Sequence, residues 1–306
     1  MKIPKIGVIG LGGWSAFMAA EHFPAPGETV PCTRLFFEPG GKGYNQAIAC
    51  ARMGVQTVFI GAVGKDGNAN ACRDLLCREN VIPCLTEKEM PTAFAVITTD
   101  RDGENTVSVF PGAAKALTAE DLREETVMAQ LRECTVLLLQ NELSLSCLTE
   151  ACRIGQELDV PVILNPAPAS ELPWELLRAC AWITPNYGEA KCLTGFSEQD
   201  QPTAEELADR FARHGVTRVI VTVGSRGAVI SESGKVRHIP PFTLCPPVDT
   251  TGAGDTFNGV LTAMLAMGKE ISEAAAAASV AAGISVTRPG AVGSIPTKAE
   301  VEAYSR

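Results

Sequence analysis

The sequence predicts an α/β protein built on a doubly wound, mostly parallel sheet, with a small β-sheet projecting from it. Three observations predict this. Short β-branched and aliphatic runs alternate with longer helical patterns along most of the 306 residues. Parallel strands need that alternation, because each must be followed by a crossover, usually a helix. Hydrophobic residues make up 46% of the chain, enough to fill a large core. Finally, two stretches in the first third carry strand patterns with no helix between them. The length allows one large domain or two small ones. No repeat, low-complexity tract or long linker divides it, so 1–306 is read as a single domain.

The elements follow in order. Ile6 to Ile9 is an unbroken apolar run, the mark of a strand covered on both faces. Tyr44 to Met53 is a helix that stops at Gly54, and Thr57 to Ile60 is the next strand. Asn68 to Glu79 is helical. Thr118 to Arg132 is helical too, opening on the cap Thr-Ala-Glu-Asp. Val136 to Leu139, Val162 to Leu164, Trp182–Ile183 and Val219 to Val223 are strands. Between and beside them lie helices at Leu145 to Leu158, Asn186 to Leu193 and Ala204 to Arg213. Thr256 to Met267 is helical, and so is the alanine-rich run from Ser272 to about Ser285, whose small side chains suit close packing. The irregular stretches are Thr29 to Phe37, bounded by Pro-Gly pairs, and the pair Ala93 to Thr99 and Asn105 to Phe110. The last two flank Asp100-Arg101-Asp102-Gly103, a hairpin turn. They predict a small sheet drawn from about 12–38 and 92–112, a candidate lid.

Bulk properties exclude several functions. The net charge is −9 and the pI near 5.0, which disfavours nucleic acid or an acidic membrane as partner. No apolar run reaches the roughly 18 residues of a membrane span. The start enters a strand pattern directly and lacks a signal-peptide layout. Eleven cysteines without a CxxC pair imply reduced thiols and a cytoplasmic protein. The three histidines, His22, His214 and His238, are scattered, and no zinc spacing appears.

The richest segment is Asp249-Thr250-Thr251-Gly252-Ala253-Gly254-Asp255. A glycine turn feeding a helix leaves N–H groups unpaired, and the helix dipole adds about half a positive charge there. That is an anion site, phosphate above all. Asp255 puts a carboxylate at its rim, where it would repel phosphate. Taking a proton from a hydroxyl that attacks phosphorus is a reason to tolerate it. The plainer alternative is a capped loop. Gly10-Leu11-Gly12-Gly13-Trp14-Ser15 fails as a dinucleotide fingerprint, because Ser15 stands at the sixth place and no long helix follows. Gly40-Gly41-Lys42-Gly43-Tyr44-Asn45 is no Walker loop, yet its turn offers N–H groups, Lys42 and Asn45 to a polar ligand. Gly224-Ser225-Arg226-Gly227 ends a strand as a turn that suits a nucleotide.

Together, GGKGYNQAIACARMG (Gly40–Gly54) and DTTGAGDTFNG (Asp249–Gly259) resemble the signatures of the ribokinase family of sugar kinases, the PfkB group. The likeness extends to Asn165-Pro166-Ala167-Pro168, Thr184-Pro185-Asn186, Thr222 to Gly227 and Val286 to Gly290. The resemblance implies a ribokinase-like fold and an ATP-dependent kinase for a hydroxyl, a primary one, of a small carbohydrate. It implies Asp255 as catalytic base and the amides of Gly252, Ala253 and Gly254 as an anion hole. It assigns Gly41, Lys42, Asn45 and Glu142 to the sugar, with Gly13 and Ser15 at the places of two further sugar contacts. Thr222, Gly224, Ser225, Gly227, Ser279 and Asn186 fall at ATP positions, with Glu189 toward Mg²⁺ through water. Asp249, Thr251, Ser285, Arg288, Gly290 and Ser294 match a monovalent-cation site for K⁺. A homodimer through the lid is a further implication.

One departure bears on the substrate. The family's Asn and Asp in the first glycine-rich segment are here Gly13 and Ser15, so a charged acceptor of sugar hydroxyls is lost. Hydrogen bonds to a charged group contribute roughly 1.5–3 kcal/mol each. The expected acceptor therefore carries fewer hydroxyls at that edge, or a planar or apolar group against an aromatic wall of Trp14 and Tyr44. Ser15 with a water, serving an ordinary sugar such as ribose, is the alternative. A nucleoside kinase of the same fold and a non-catalytic sugar-binding regulator remain as rival readings.

Overall fold

The computed structural model describes residues 3–102, 104–197 and 199–304. Gly103 of the expected turn and the outermost residues of the expected 1–306 domain lie outside the described residues. The strands are β1 (Lys5–Ile9), β2 (Gly13–Ala20), β3 (Cys32–Gly40), β4 (Gln56–Gly64), β5 (Val81–Lys88), β6 (Ala93–Thr99), β7 (Asn105–Phe110), β8 (Val136–Gln140), β9 (Val162–Asn165), β10 (Trp182–Ile183), β11 (Arg218–Thr222), β12 (Ala228–Glu232) and β13 (Lys235–Ile239). The helices are α1 (Lys42–Arg52), α2 (Gly67–Arg78), α3 (Gly112–Lys115), α4 (Ala119–Arg123), α5 (Glu125–Glu133), α6 (Leu145–Leu158), α7 (Trp174–Ala179), α8 (Tyr187–Thr194), α9 (Ala204–Arg213), α10 (Ala253–Ala266), α11 (Ile271–Ser285) and α12 (Lys298–Tyr304).

The large sheet runs β13-β12-β11-β10-β9-β8-β1-β4-β5, parallel except for β12 and β13. Its central strands are covered on both faces, whereas the edge strand β13 is mostly exposed. Along β8, Val136 and Leu138 enter the core beneath α1, α2, α10, α11 and α12, while Leu137 and Leu139 enter the core beneath α4 to α9. Period-two alternation thus feeds two cores, which is why the strands read as continuous apolar runs. The chain leaves β1 toward β4 but leaves β8 toward β9. The crevice beyond the carboxyl ends of β1 and β8 is where open α/β sheets bind ligands.

The small sheet runs β3-β2-β6-β7, with β2 antiparallel to β3 but parallel to β6. The strand expected at Thr29 to Phe37 begins at Cys32 and continues through Pro39 to Gly40. An edge strand tolerates proline because no neighbour needs its N–H. β2, β5, α7 and the β12–β13 hairpin were not legible as elements. The hairpin turns at Ser233 and Gly234, with φ of 50° and 80°. The helix expected from Thr118 to Arg132 is two helices, since Glu124 adopts φ −56°, ψ 138°. The bend lets Leu122 and Val127 reach one core. Five residues apart, they would diverge by about 140° on a straight helix. Among the described residues no helix is long and apolar enough to cross a membrane.

Candidate functional site

The site is built on the first turn of α10. Its N-cap, Gly252, has φ 75°, and a Cβ there would lie 3.4 Å from Ala291 Cα. Only glycine takes this left-handed backbone without strain. The Ala253 N–H closes on Thr250 O at 3.3 Å, and Thr256 N–H on Gly252 O at 2.8 Å. The amides of Gly254 and Asp255 lie between them, in the turn where a helix offers its own N–H groups no partner.

Asp255 is 7% exposed. Its Oδ2 accepts from Asn45 Nδ2 at 2.8 Å and its Oδ1 from Gln46 Nε2 at 3.0 Å. Gln46 Nε2 also donates to Asn165 Oδ1 at 3.0 Å, and Gln46 Oε1 accepts from Gln140 Nε2 at 2.8 Å. The Asp255 carboxylate, with Glu142 and Glu189, holds the Lys42 ammonium above the usual lysine range against the opposing pull of burial. Lys42 N–H donates to Glu142 Oε2 at 3.2 Å. Burial pushes the Glu142 carboxyl up to about 7, with the Lys42 charge working the other way.

Two cavities meet at this turn. A polar one of about 230 Å³ is lined by Lys42, Asn165, Asn186, Glu189, Gly252, Asp255 and Asn258 among others. A larger cleft of about 350 Å³ has Gly224, Ser225, Gly227, Phe242, Phe257 and Ser279 in its walls. Thr222, Thr250 and Gly254 line both. The structure therefore gathers the expected nucleotide positions on one side of α10 and the expected chemistry on the other. Two expected residues depart from this division: Asn186 lines the polar cavity only, and Ala253 the larger cleft only.

The remaining expected positions fall as follows. Gly41 is the N-cap of α1. Gly13 and Ser15 sit on β2 opposite Gly40 and Glu38, and Ser15 Oγ faces Gly40. Neither lines the polar cavity. Asn186 and Glu189 form a capping box at the start of α8. Glu189 Oε2 accepts from Asn186 N–H at 2.8 Å and Oε1 from Asn186 Nδ2 at 2.7 Å, and burial raises the Glu189 carboxyl. Among the described residues no group of three or more His, Cys, Asp and Glu could hold a metal. The cavity's hard oxygen donors still suit Mg²⁺, which keeps several waters and takes most ligands from phosphates.

Asp249 ties two loops together, accepting from Thr251 N–H and Gly290 N–H at 2.9 Å each. Ser285 and Ser294 are buried, with hydroxyls donating to Ala282 O and Ala291 O. The Arg288 guanidinium pairs with Glu300, leaving only its backbone for a cation.

One expectation is overturned. Tyr44 forms no aromatic wall. Its ring is fully buried, 4.5 Å from Phe59, and a Cβ on Gly12 would lie 2.5 Å from it. Gly12 is glycine to admit that ring. Trp14 packs against the same core. Sequence reasoning also passed over Gln46, Gln140 and Glu38. Glu38 Oε1 accepts from Ala291 N–H at 3.0 Å, tying β3 to the loop beside Gly252. Gln46 adjoins Asn45 in a motif already singled out, and that adjacency was its one signal.

Residues 12–298 match the family model of the pfkB family carbohydrate kinases. The chain is 36% identical over 285 residues to a ribokinase of Haemophilus influenzae, covering 92% of each chain. It is 29% identical to a deoxyribokinase of Salmonella typhi, covering 98% of each. The structure of an Arabidopsis thaliana ribokinase complexed with ribose and ATP superposes with a TM-score of 0.89 at 28% identity, covering 100% of this chain and 99% of that one. The family model spans nearly the whole chain, and the ribokinases match it along nearly their whole length. The chain belongs to the pfkB family of carbohydrate kinases, as an ATP-dependent sugar kinase.

Proposed function

We propose that the chain moves the γ-phosphoryl group of ATP to a primary hydroxyl of a small sugar that presents few hydroxyls to Gly13 and Ser15. The observation carrying this reading is the meeting of the two cavities at α10, with Asp255 on the polar side only. The adenosine end of ATP lies in the larger cleft along Gly224, Ser225, Gly227 and Ser279, and its phosphates reach the amides of Gly252 and Gly254, and that of Ala253 once its N–H leaves Thr250 O, 3.3 Å away. The acceptor hydroxyl lies against Asp255, with its sugar held by Gly41, Lys42, Asn45 and Glu142.

The hydroxyl oxygen attacks phosphorus and the bond to the leaving ADP oxygen breaks. The hydroxyl proton passes to Asp255, whose carboxylate has lone pairs beyond the two engaged by Asn45 and Gln46. Lys42 and the helix amides neutralise charge on the moving group, which matters more in phosphoryl transfer than covalent help. Mg²⁺, when bound, supplies further neutralisation of the phosphates, and Asn186 and Glu189 would hold it through water. K⁺ would sit by Asp249, Thr251 and Gly290, with Ser285, Arg288 and Ser294 beside it, and stiffen the Gly252 turn. The small sheet acts as a lid that excludes water. Two copies pair through it, using the exposed side chains of Leu35, Phe37, Val107 and Val109, in the cytoplasm.

The two rival readings are weaker. A nucleoside kinase would call for an aromatic wall that buried Tyr44 does not supply, and a mere sensor has no use for a buried, hydrogen-bonded Asp255. An ADP-release assay over sugars and nucleosides tests the reading. 2-Deoxyribose is expected to match or exceed ribose in kcat/KM, and K⁺ to support faster turnover than Na⁺. A micromolar KM for ribose, far ahead of every other sugar, overturns the substrate assignment. No turnover with any acceptor overturns the reaction.

A further inference from the structure

We propose that Gln46 is a positioning residue that sets the orientation of the Asp255 carboxylate through a one-way chain of amide hydrogen bonds. This rests on the reading of Asp255 as the base.

The chain's direction is forced by chemistry. An ionised carboxylate accepts only, so the group facing Asp255 Oδ1 must be the Gln46 amide nitrogen. That nitrogen has two hydrogens, and Asn165 Oδ1 takes the second. Gln46 Oε1 then requires a donor, which Gln140 Nε2 supplies. Asn165, with its oxygen committed, turns its own nitrogen to Thr184 O at 3.0 Å. Gln46 and Gln140 are fully buried and Asn165 nearly so. No member can flip without setting donor against donor or acceptor against acceptor in a buried site, where an unmade hydrogen bond is most costly.

The geometry makes Gln46 a lever on one atom. Asn45 fixes Asp255 Oδ2 and Gln46 fixes Oδ1, so the pair determines the plane of the carboxylate and the lone pairs left for the hydroxyl. Both amides come from α1, while Asn165 ends β9 and Gln140 ends β8. The rigid sheet thereby holds a side chain on α10 whose misorientation would weaken proton transfer.

The test is a double-mutant cycle on the whole enzyme, with ATP and the best acceptor from the sugar panel. Gln46→Leu is expected to lower kcat about 10–100-fold, the weight of one hydrogen bond to a charged group, with the KM for ATP within about twofold. In an Asp255→Asn background the same substitution is expected to cost less than about threefold, because there is no base left to orient. Gln46→Glu supplies a second variant of the same shape. Protonated, its carboxyl can donate to Asp255, so its activity relative to the parent is expected to rise as pH falls from 8 to 6. Lys42, Glu142 and Glu189 face the same carboxylate in both proteins, and the ratio cancels their titration.

An unchanged kcat in folded Gln46→Leu overturns the proposal. So does an equal loss in both backgrounds, which is what a purely structural role produces. Should the Leu variant fail to fold, a flat activity ratio for Gln46→Glu overturns it alone. Near-normal turnover of Asp255→Asn would instead overturn the base assignment, a different failure with a different signature.

Discussion

Replacing Asp255 by Asn isolates the proton-accepting role from the binding roles around it. The side chain keeps its shape, but one acceptor oxygen becomes an NH₂ donor. Either orientation sets that donor against another, Asn45 Nδ2 at 2.8 Å or Gln46 Nε2 at 3.0 Å. Two effects follow, and they fall on different observables. Loss of the base lowers kcat by about 10²–10⁴-fold, or about 2.7–5.4 kcal/mol of barrier. Loss of one hydrogen bond to a charged acceptor costs about 1.5–3 kcal/mol of stability, seen as a few degrees in Tm. The Lys42 ammonium loses its largest stabilising neighbour and becomes easier to deprotonate. The larger cleft does not include Asp255, so the KM for ATP is expected to hold within about twofold. The assay is coupled ADP release under saturating acceptor, with Tm read alongside. Turnover within about threefold of the parent refutes the assignment of the base. A large rise in the KM for ATP with kcat intact refutes the placement of the two substrates.

Gly252→Ala forces a side chain into a left-handed conformation beside Ala291, at about 1–2 kcal/mol of strain. Relaxing that strain moves the amides, so kcat is expected to fall at least tenfold, and parental kinetics would show that the turn does not grip phosphate. Glu142→Gln tests the buried carboxyl. A group raised from 4.5 to about 7 on folding contributes stability that is present below 4.5 and lost as pH rises through about 7. The variant is therefore expected to be more stable than the parent at pH 8 by about 1–3 kcal/mol, with the gap closed by pH 4. Equal denaturation midpoints at pH 8 would contradict this. Cys152 and Cys180 place their sulfurs 3.9 Å apart, and the Cys180 thiol's hydrogen bond holds the Cys152 thiol below its usual range. Hydrogen peroxide is expected to take Cys152 to the sulfenic acid, which Cys180 condenses to a disulfide with loss of water. Peptide mapping reads the cross-link, and Cys152→Ser should abolish it.

Much of the molecule was legible because its signals are local. A buried parallel strand declares itself by a short apolar run, and a helix by a cap and a stop, within a few neighbouring residues. The glycine turns before α1 and α10, with Lys42, Asn45 and Asp255 beside them, are local as well. Hence these residues and the family likeness they carry were both available from the linear chain. β2 and β5 escaped because alanines, methionine, cysteine and proline dilute their β-branched pattern. Pairing with β6 and β4 decided them instead.

The second layer of the site belongs to the tertiary structure alone. Gln46 meets Asp255 across 209 residues and Gln140 across 94, and Glu38 meets Ala291 across 253. No periodicity or capping rule links such positions, because only the packing of α1 and α10 on the ends of β8 and β9, and of β3 on the loop after α11, brings them together. The same packing turned Tyr44 from an expected wall of the sugar pocket into core. A side chain's neighbours along the chain constrain its backbone, but only the assembled layers decide which way it points and what it touches.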